Sequence, residues 1–407
     1  MVHGSTVEIG GVAAEEVHDF RTAFDGVFAT TTTEDSVERF TRVTPLERLV
    51  AARSPAGEIV GTAGAFDFDL ALPGGTSAPC ASVTVVSVRA DHRRRGVLTR
   101  MMAELLDQAA ARDEPFAALW ASESPIYGRY GFGPAAPTVD LDVPRAQARF
   151  HAEGPVDEVR LVDAEAALGS FPELYDAARR QRPGGLSYPT EWWRHRVLAD
   201  PPGRREGAGP KQYAWLPGRG YAVFRLREGW DQHGPAGVVE VAELVALDPE
   251  ATAALWRFVI DTDLSARTRA ARRPVDEPLL GALVDPGRVA VTGSEPLYLR
   301  LVDLVGALRA RRYRSDLDVV LAVEDRFRPA NEGTWRLVVR DGYAECERTD
   351  APPGLSLTAD ALATVYLGGV TLASLMAAGR VTGSRRVATE LDLALTAELA
   401  PWHGGMF

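Results

Sequence analysis

The spacing of apolar and polar positions predicts a mixed α/β structure for the first third of the chain. A β-branched run from Val83 to Val88 predicts a buried strand over 81–89. A polar, arginine-rich turn follows. Apolar positions at helical spacing then predict a helix over 97–112, whose apolar face carries Leu98, Met101, Met102, Leu105 and Leu106. Further strands are predicted at 47–53, 58–68, 116–121 and 137–143, and further helices over 14–28 and from 34 to 40 and beyond. Strands that alternate with crossover helices imply a parallel or mixed sheet.

Residues 151–297 partly repeat this pattern. The sequence predicts a helix near 163–181, a hairpin of Tyr213–Leu216 with Tyr221–Leu226, a strand over Val238–Leu247 and a helix over Pro249–Ile260. The junction before that last helix has no basic, glycine-containing loop, and a proline in the first helical turn has no N–H to donate. We therefore interpret this segment as a degenerate second copy of the first, with a structural role.

The pattern changes again over residues 298–407. A predicted helix at 300–311 is followed by alternating strands at 317–323, 335–339 and 343–348, and then by helical segments near 358–366, 370–378 and 385–397. A chain of 407 residues suits two to three domains. We expect three, which span residues 1–150, 151–297 and 298–407.

The charge balance favours a cationic partner over a nucleic acid. The formal net charge is -11, whereas contacts to nucleic-acid phosphates need a basic face. An acidic cleft attracts amines, although an acidic surface that serves only solubility explains the charge equally well.

The cysteines and the apolar windows point to a cytoplasmic protein. Cys80 and Cys346 show no metal-ligand spacing, so we expect reduced thiols, no disulfide and no metal site. The start of the chain lacks a basic region followed by an apolar run, so no signal peptide is expected, and secretion by another route stays open. The most apolar windows, such as 361–378, contain Thr, Ser and Gly and are too short for a membrane span.

The turn that follows the strand 81–89 carries the most specific chemical signal. It leads into a helix N-terminus, where free backbone N–H groups and the positive end of the helix dipole bind phosphate. Arg93, Arg94 and Arg95 add positive charge at the same place. The pattern predicts an anion-binding loop, although an exposed arginine-rich turn before an ordinary amphipathic helix has the same composition.

Two stretches of the chain resemble a known family. Arg93-x-x-Gly96-x-Leu98 resembles the Arg/Gln-x-x-Gly-x-Gly/Ala loop of the GNAT acetyltransferases, with Leu98 in place of the last small residue. Ala121-Ser122-Glu123 is followed by the glycine-punctuated stretch Ile126 to Gly133, and the chain ends in Phe407. Together with Val86-Ser87-Val88, these features resemble the Eis (enhanced intracellular survival) family of GNAT N-acetyltransferases over essentially the whole chain.

The resemblance implies an architecture and a reaction. The architecture is α/β (α+β), with two GNAT domains in tandem, the second inactive, and a C-terminal sterol carrier protein-like domain. The assembly is a homohexamer built as a trimer of dimers. The reaction is acetyl transfer from acetyl-CoA to a primary amine, on an aminoglycoside or on a lysine side chain. The residues implied to contact acetyl-CoA are Val86, Ser87, Val88, Arg94, Arg95, Gly96, Val97, Leu98, Thr99, Ser122 and Glu123.

Two groups are the candidate catalysts. The resemblance assigns the general acid for the departing thiolate to Tyr127 rather than Tyr130, and a phenol with a pKa of about 10 suits a thiol of similar basicity. It assigns the general base to the α-carboxylate of Phe407. That group has an ordinary pKa of about 3.5 and is a weak base for an ammonium unless burial raises the pKa. Most chain termini fray, but terminal aromatic residues favour docking.

Other acids and bases are weaker candidates. Asp25 is expected to line the amine site, with Glu34 and Asp35 as alternatives, although each is more typical of a solvated surface charge. His403 ranks below the terminal carboxylate as a base. Many members of the family carry an acidic residue just before the end. This chain has Gly405-Met406 there, which puts its match to polycationic substrates in question.

A second function class is open at this stage. The apolar helical segments at 358–378 have the composition to line a cavity, so the last domain could bind a lipid or another apolar ligand, with reduced or lost transferase activity. Core packing explains the same composition.

Overall fold

The computed structural model describes residues 7–152 and 158–407. The first six residues, which entered the prediction of no signal peptide, and residues 153–157, inside the predicted second domain, lie outside the described part of the chain.

The described residues form strands that are numbered here in chain order: β1 Glu8–Gly11, β2 Leu49–Arg53, β3 Ile59–Ala71, β4 Ser77–Val88, β5 Phe116–Trp120, β6 Gly133–Pro144, β7 Arg160–Val162, β8 Gln212–Leu216, β9 Gly220–Arg227, β10 Trp230–Asp231, β11 Gly234–Pro235, β12 Gly237–Ala246, β13 Ser265–Pro274, β14 Ala290–Leu301, β15 Leu317–Glu324, β16 Gly333–Arg340, β17 Tyr343–Arg348, β18 Leu355–Thr358 and β19 Val381–Gly383.

The helices among the described residues are α1 Val17–Val27, α2 Glu34–Val43, α3 Val97–Ala111, α4 Ala164–Arg180, α5 Thr190–Trp192, α6 Pro249–Ile260, α7 Pro278–Ala282, α8 Leu304–Ala310, α9 Ala359–Tyr366, α10 Leu372–Ala377 and α11 Arg385–Leu395.

The chain folds into two compact units. The first unit contains residues up to 135, residues 298–396 and Phe407, and the second contains residues 136–297 and 397–406. The chain therefore passes between the units inside β6 and β14, then between Thr396 and Ala397, and again between Met406 and Phe407.

In the first unit, strands β1 to β5 lie side by side in sequence order, with helices on both faces. Alternation along the strands separates the two faces: Val50 and Ala52 of β2 pack in the same cluster as α3, whereas Leu49 and Ala51 pack with α1 and α2. The α3 side buries Met101, Met102, Leu105, Leu106 and Ala109. This is the face that the sequence predicted to be apolar.

The same unit holds a second, smaller sheet in the order β17-β16-β15-β18-β19. Strands β15, β16 and β17 are antiparallel neighbours, whereas β18 runs parallel to β15. All residues of α9 except Asp360 are buried. The apolar composition that suggested a ligand cavity is therefore accounted for, in this helix, by packing against neighbouring elements.

The second unit repeats the layered arrangement with the strand order β6-β13-β12-β9-β8-β7. Helix α6 buries Leu255, Trp256 and Val259 against one face, and α4 buries Phe171 and Leu174 against the other. β12 and β13 are parallel neighbours, as are β4 and β5 in the first unit.

The structure confirms most of the predicted elements, corrects the start of one helix and contains strands that the pattern did not predict, among them β1, β13, β14 and β19. The helix predicted at 300–311 begins too early, because residues 300 and 301 belong to β14 and the helix starts at Leu304, after the N-cap Asp303. The pattern missed β13, whose sequence is rich in arginine. Arg267 and Arg269 on the more exposed face of this strand pair with Asp142 of β6, and the alternate, buried positions carry the small residues Thr268 and Ala270 in place of large apolar ones.

Two further observations bear on the sequence-based expectations. Cys80 and Cys346 are both buried and free. Across the part of the chain that the structure describes, no helix is both long and apolar enough to cross a bilayer.

Candidate active site

The site begins where β4 and β5 part. The two parallel strands pair only at Cys80 with Phe116, Ala81 with Ala117 and Ser82 with Ala118, yet β4 continues to Val88 and β5 to Trp120. Beyond Ser82 the facing edge of β4 has no strand partner in β5. Unpaired backbone N–H and C=O groups on such an edge can pair with an extended ligand. We call this opening the first slot.

A β-bulge marks the point where β4 leaves its neighbour. Against β3, Thr62 faces Ser87 and Gly64 faces Thr84, so β4 carries one extra residue between these pairs. Val85 adopts a positive φ of 46°, which is strained for a β-branched residue. The Thr62 hydroxyl donates to the Val85 carbonyl at 2.7 Å and lies 2.7 Å from the Ser87 hydroxyl. Thr62 therefore holds the bulge, and sequence patterning gave no signal for it.

Val86, Ser87 and Val88 of β4, which the sequence predicted to contact acetyl-CoA, lie along the first slot, and their side chains make different contacts. The Ser87 side chain is buried and engaged by Thr62, whereas Val86 and Val88 are half-buried and pack against the α3 core. The side chains of this strand are therefore used for packing and for the bond to Thr62. The backbone N–H and C=O groups of the strand are the groups left for a ligand.

The arginine-rich turn ends at an uncapped helix. Gly96, the N-cap of α3, has a φ of 76°, and no side chain caps the first turn, which contains no acidic residue. Arg94 has a φ of 61°, and the Arg93 guanidinium donates to the Val88 carbonyl at 3.2 Å. Arg94, Arg95 and Gly96 are exposed. Free N–H groups at the positive end of a 15-residue helix, beside exposed arginines, are the features with which a helix terminus can bind an anion.

The remaining predicted contacts lie around the same helix and the end of β5. Val97 is buried and Leu98 is half-buried at the start of α3, while Thr99 is exposed. Ser122 and Glu123 are exposed just after β5. The Thr99 hydroxyl lies 3.3 Å from the Tyr130 hydroxyl, so this contact brings the glycine-punctuated stretch to the first turn of α3.

Tyr127 and Tyr130 are both buried but differ in their hydrogen bonding. The Tyr130 hydroxyl is engaged by Thr99, whereas the Tyr127 hydroxyl has no hydrogen-bond partner among the residues that the structure describes. The Tyr127 ring packs edge-on against Phe132, with centroids 6.1 Å apart. Of the two phenols, Tyr127 is therefore the one whose proton is available to a ligand.

Burial changes the acidity of Tyr127. It raises the pKa of this phenol to about 12, and the neighbouring Tyr130 and Glu123 act in the same direction. The match to a thiol that the sequence suggested, based on a pKa of about 10, is therefore looser in the folded protein. The phenol therefore keeps its proton throughout the neutral range and can donate a hydrogen bond there.

The glycines of the stretch Ile126 to Gly133 allow close contact with residues from the last third of the chain. Gly131 has a φ of 80°, and a Cβ at this position would collide with the Arg300 guanidinium. A Cβ at Gly133 would collide with the Asp360 carbonyl and with Thr364. Arg300 is fully buried and pairs with Asp325. Arg300, Asp360 and Thr364 thus pack tightly against the turn that carries Tyr127 and Tyr130. The spacing of the sequence did not indicate these contacts.

Asp25 is neither a solvated surface charge nor a free acid. It is buried in α1, where the Arg21 guanidinium donates to its carboxylate. The Thr30 and Thr32 hydroxyls donate to it at 3.2 and 2.9 Å. Of the alternatives, Glu34 and Asp35 are exposed, and Asp35 pairs with Arg39.

The chain end is docked rather than frayed. Phe407 is half-buried in the first unit, and its ring meets the Phe68 ring of β3 edge-on at 6.1 Å.

His403, the weaker candidate base, lies in the second unit. Burial there lowers the pKa of its imidazole to about 3, and Arg272 acts in the same direction. The Leu186 N–H donates to Nδ1 at 3.4 Å, and Nε2 lies 3.0 Å from the Tyr188 hydroxyl.

The equivalent helix of the second unit offers no anion site. Asp248 caps α6, and its carboxylate accepts the Ala251 N–H at 2.8 Å while it also pairs with Arg219. Pro249 occupies the first helical position. At the start of α6, the Asp248 carboxylate and Pro249, which has no N–H, take the place that Gly96 has at the start of α3. This difference agrees with the interpretation of the segment as a degenerate copy.

Comparison with known families gives three matches along the chain. Residues 8–135 and residues 184–301 each match a family described as an acetyltransferase (GNAT) domain, and residues 304–404 match a sterol carrier protein domain. These matches confirm the predicted architecture of two GNAT domains followed by a sterol carrier protein-like domain.

Relatives extend the similarity over most of the chain. An uncharacterized N-acetyltransferase of Streptomyces avermitilis is 45% identical over 354 residues, which cover 85% of this chain and 86% of the relative. N-acetyltransferase Eis of Mycobacterium bovis is 35% identical over 382 residues, 90% of each chain. The crystal structure of Eis1 from Mycobacterium abscessus superposes with a TM-score of 0.87 at 30% identity, over 98% of this chain and 100% of that one.

We expect Gly96→Ala to weaken the binding of coenzyme A by roughly ten-fold or more, which corresponds to ~1.4 kcal/mol. A left-handed conformation costs an alanine about 1–2 kcal/mol, so the turn would relax and misdirect its N–H groups. Isothermal titration with coenzyme A measures the effect. Gly57→Ala is the matched control, because Gly57 also has a positive φ and open space around a Cβ. Equal affinity loss in both variants, or in neither, would contradict the assignment.

Proposed function

The chain belongs to the Eis family of GNAT N-acetyltransferases, and we propose that it transfers the acetyl group of acetyl-CoA to primary amines of aminoglycosides or of lysine side chains. The observation that carries this proposal is the combination of the first slot, the uncapped N-terminus of α3 and the unengaged Tyr127 hydroxyl. The net charge of -11 supports a cationic acceptor. A cytoplasmic location remains a prediction from the cysteine content.

Acetyl-CoA is a fitting cosubstrate for these residues. The backbone of Val86 to Val88 would pair with the amide-bearing pantetheine arm, as an added strand does at a sheet edge. The N–H groups from Arg94 to Thr99 would bind the diphosphate, and Ser122 and Glu123 would close the other side of the first slot. The bulge at Val85 favours this assignment, because it turns the strand edge away from β5 without a break in the chain.

Tyr127 is the proposed general acid. A phenol with a pKa of about 12 stays protonated at neutral pH, so a hydrogen bond from its hydroxyl would stabilise negative charge as it develops on the departing sulfur. Water is largely excluded around the buried ring, which strengthens such a bond.

The α-carboxylate of Phe407 is the proposed general base. The contact of its ring with Phe68 supports a docked chain end, and in this proposal a bridging water carries the ammonium proton to the carboxylate. Asp25 is the proposed acidic group of the amine site. Its three internal donors, Arg21, Thr30 and Thr32, orient the carboxylate before an amine arrives.

The three-domain division is also part of this proposal. Residues 1–150 form the catalytic GNAT domain, residues 151–297 a degenerate GNAT-like domain, and residues 298–407 the sterol carrier protein-like domain that ends in the base. Binding of an apolar ligand is the less favoured function, because α9 is buried except at Asp360 and the named relatives are N-acetyltransferases.

An amine panel with free-thiol detection tests the proposed activity. With acetyl-CoA present, we expect thiol release that depends on an aminoglycoside or on a lysine-containing peptide. Tyr127→Phe is expected to lower kcat by about 100-fold or more, with coenzyme A binding retained, because only the proton donor is lost. Tyr130→Phe removes a hydroxyl that bonds Thr99 and serves as the matched control. The absence of amine-dependent thiol from a protein that binds coenzyme A would refute the activity.

One glycine added after Phe407 tests the terminal base. The extension moves the carboxylate by one residue and is expected to lower kcat by about 100-fold, with little change in the KM for acetyl-CoA. Phe407→Tyr is the matched control, because it keeps both the ring and the carboxylate in place. Full activity in the extended chain would exclude the carboxylate as the base.

We also propose assembly as a homohexamer, on the basis of the family relationship. Native mass spectrometry should then give six times the 43.9 kDa mass of one chain. A dominant monomer or dimer at micromolar concentration would contradict this assembly.

A further inference from the structure

The second unit contains a counterpart of the first slot. Parallel pairing of β12 with β13 runs from Gly237 with Ser265 to Val241 with Ala270 and then stops, although β12 continues to Ala246 and β13 to Pro274. A bulge at Ala242 interrupts the pairing of β12 with β9 at the same level. This unit therefore has the same divergence of two parallel strands, which we call the second slot.

Two side chains of this unit, those of Arg273 and Trp402, enter the second slot. The Arg273 guanidinium reaches from β13 to β12 and donates to the Leu244 carbonyl at 3.0 Å. The Trp402 ring lies against this guanidinium, 4.9 Å from its carbon to the ring centroid. The Arg273 guanidinium and the Trp402 ring thus lie where an extended ligand would pair with the free edge of β12.

A backbone distortion in β13 provides the main hydrogen bonds to this segment. Arg272 has a φ of 50° and sits in a bulge opposite β6. The Trp402 indole N–H donates to the Arg272 carbonyl at 2.6 Å, and the Arg272 guanidinium donates to the Gly404 carbonyl at 2.9 Å. A non-glycine residue held at positive φ costs free energy and persists where the surroundings require it.

Further contacts hold the residues on either side. The Trp402 N–H donates to the Pro183 carbonyl at 2.8 Å. The Ala400 N–H donates to Asp276 at 2.9 Å, and the Arg182 guanidinium donates to the Ala400 carbonyl at 2.6 Å. His403 is buried beside Tyr188. Every residue from Ala400 to Gly404 is thereby bonded to the second unit or lies between bonded neighbours, and Gly405 and Met406 connect the segment to Phe407.

We propose that the second GNAT domain is an anchor for the carboxyl terminus: residues 400–404 occupy its vestigial acyl-CoA slot, and Trp402 and Arg272 are positioning residues for the terminal carboxylate. The positioning part rests on the proposed function, in which the Phe407 carboxylate is the base. The anchoring part does not depend on activity. Anchoring of the carboxyl-terminal segment explains why the second GNAT domain, which has no basic glycine-containing loop, keeps the divergence of β12 from β13.

The occupied slot has a consequence for stoichiometry. The cavity that remains beside Trp402 and Glu243 measures about 280 Å³, at the lower limit for small-ligand pockets. We therefore expect titration of the full chain to show one molecule of coenzyme A per chain. Two would overturn the proposal that the second slot is filled.

Release of Phe407 by a carboxypeptidase tests the anchor directly. In Trp402→Phe the ring stays while the indole N–H is lost, and we expect release to accelerate about five-fold or more, the factor that corresponds to one lost hydrogen bond. Trp230→Phe is the matched control, since Trp230 is 64% exposed in the β10–β11 hairpin. Mass spectrometry of the intact chain follows the release, and a circular dichroism melt checks that the variants are folded.

Arg272 gives an independent second test. Arg272→Met removes the donor to Gly404 and should also accelerate release, whereas Arg272→Lys keeps a cationic donor and should restore most of the protection. Arg267→Met, on the same strand but paired with Asp142, is the control. Release at the wild-type rate in both Trp402→Phe and Arg272→Met would overturn the anchor.

Kinetics of the same variants test the positioning role. Trp402→Phe and Arg272→Met should lower kcat by at least five-fold with the KM for acetyl-CoA unchanged, and Arg272→Lys should restore kcat. Faster release of Phe407 with an unchanged kcat would overturn the positioning role and leave the anchor intact. If the Phe407 carboxylate is not the base, the chain with one glycine added after Phe407 keeps full activity. The rates of Phe407 release in the anchor variants do not depend on that result.

Discussion

The divergence of β4 from β5 after Ser82 is the constraint on which the candidate active site depends. A parallel pair that stayed in register to its end would bury the backbone groups of Val86 to Val88 in its own ladder. The bulge at Val85, held by Thr62, prevents this and leaves a strand edge beside the uncapped start of α3. One local distortion thus creates both the first slot and its orientation toward an anion-binding helix terminus.

The packing of Arg300 against the turn that carries Tyr127 shows how a distant part of the chain supports this site. Arg300 and Asp325 form a buried ion pair, and Asp325 also accepts the Arg328 N–H at 3.0 Å. Such pairs contribute little net stability because both ions lose their hydration, but they define geometry. Here the guanidinium fills the space that Gly131 leaves empty, so the tyrosine-bearing turn has a rigid support. The sterol carrier protein-like residues therefore have a structural part in the site, whether or not they bind a ligand.

The two GNAT domains show how the same fold diverges in use. In the first, a glycine caps the helix and the strand edge is unpaired. In the second, Asp248 caps α6 with a negative charge, and Arg273 bridges the parted strands. An anion cannot bind at a helix terminus whose N–H groups are already satisfied by a carboxylate. In our proposal, the second domain has no ligand chemistry of its own, and its groove holds the carboxyl-terminal segment of the same chain.

Most helices and strands and the family could be predicted from the sequence, because local periodicity and short motifs record them; the anion-binding turn and the role of Tyr127 stay predictions from the same motifs. The raised pKa of Tyr127, the internal partners of Asp25 and the contact of Phe407 with Phe68 are visible only in the folded chain. The folded chain also shows β13, whose buried face carries small residues and whose more exposed face carries arginines that pair with Asp142. Burial and partner choice arise between residues far apart in the chain, and no local pattern records them.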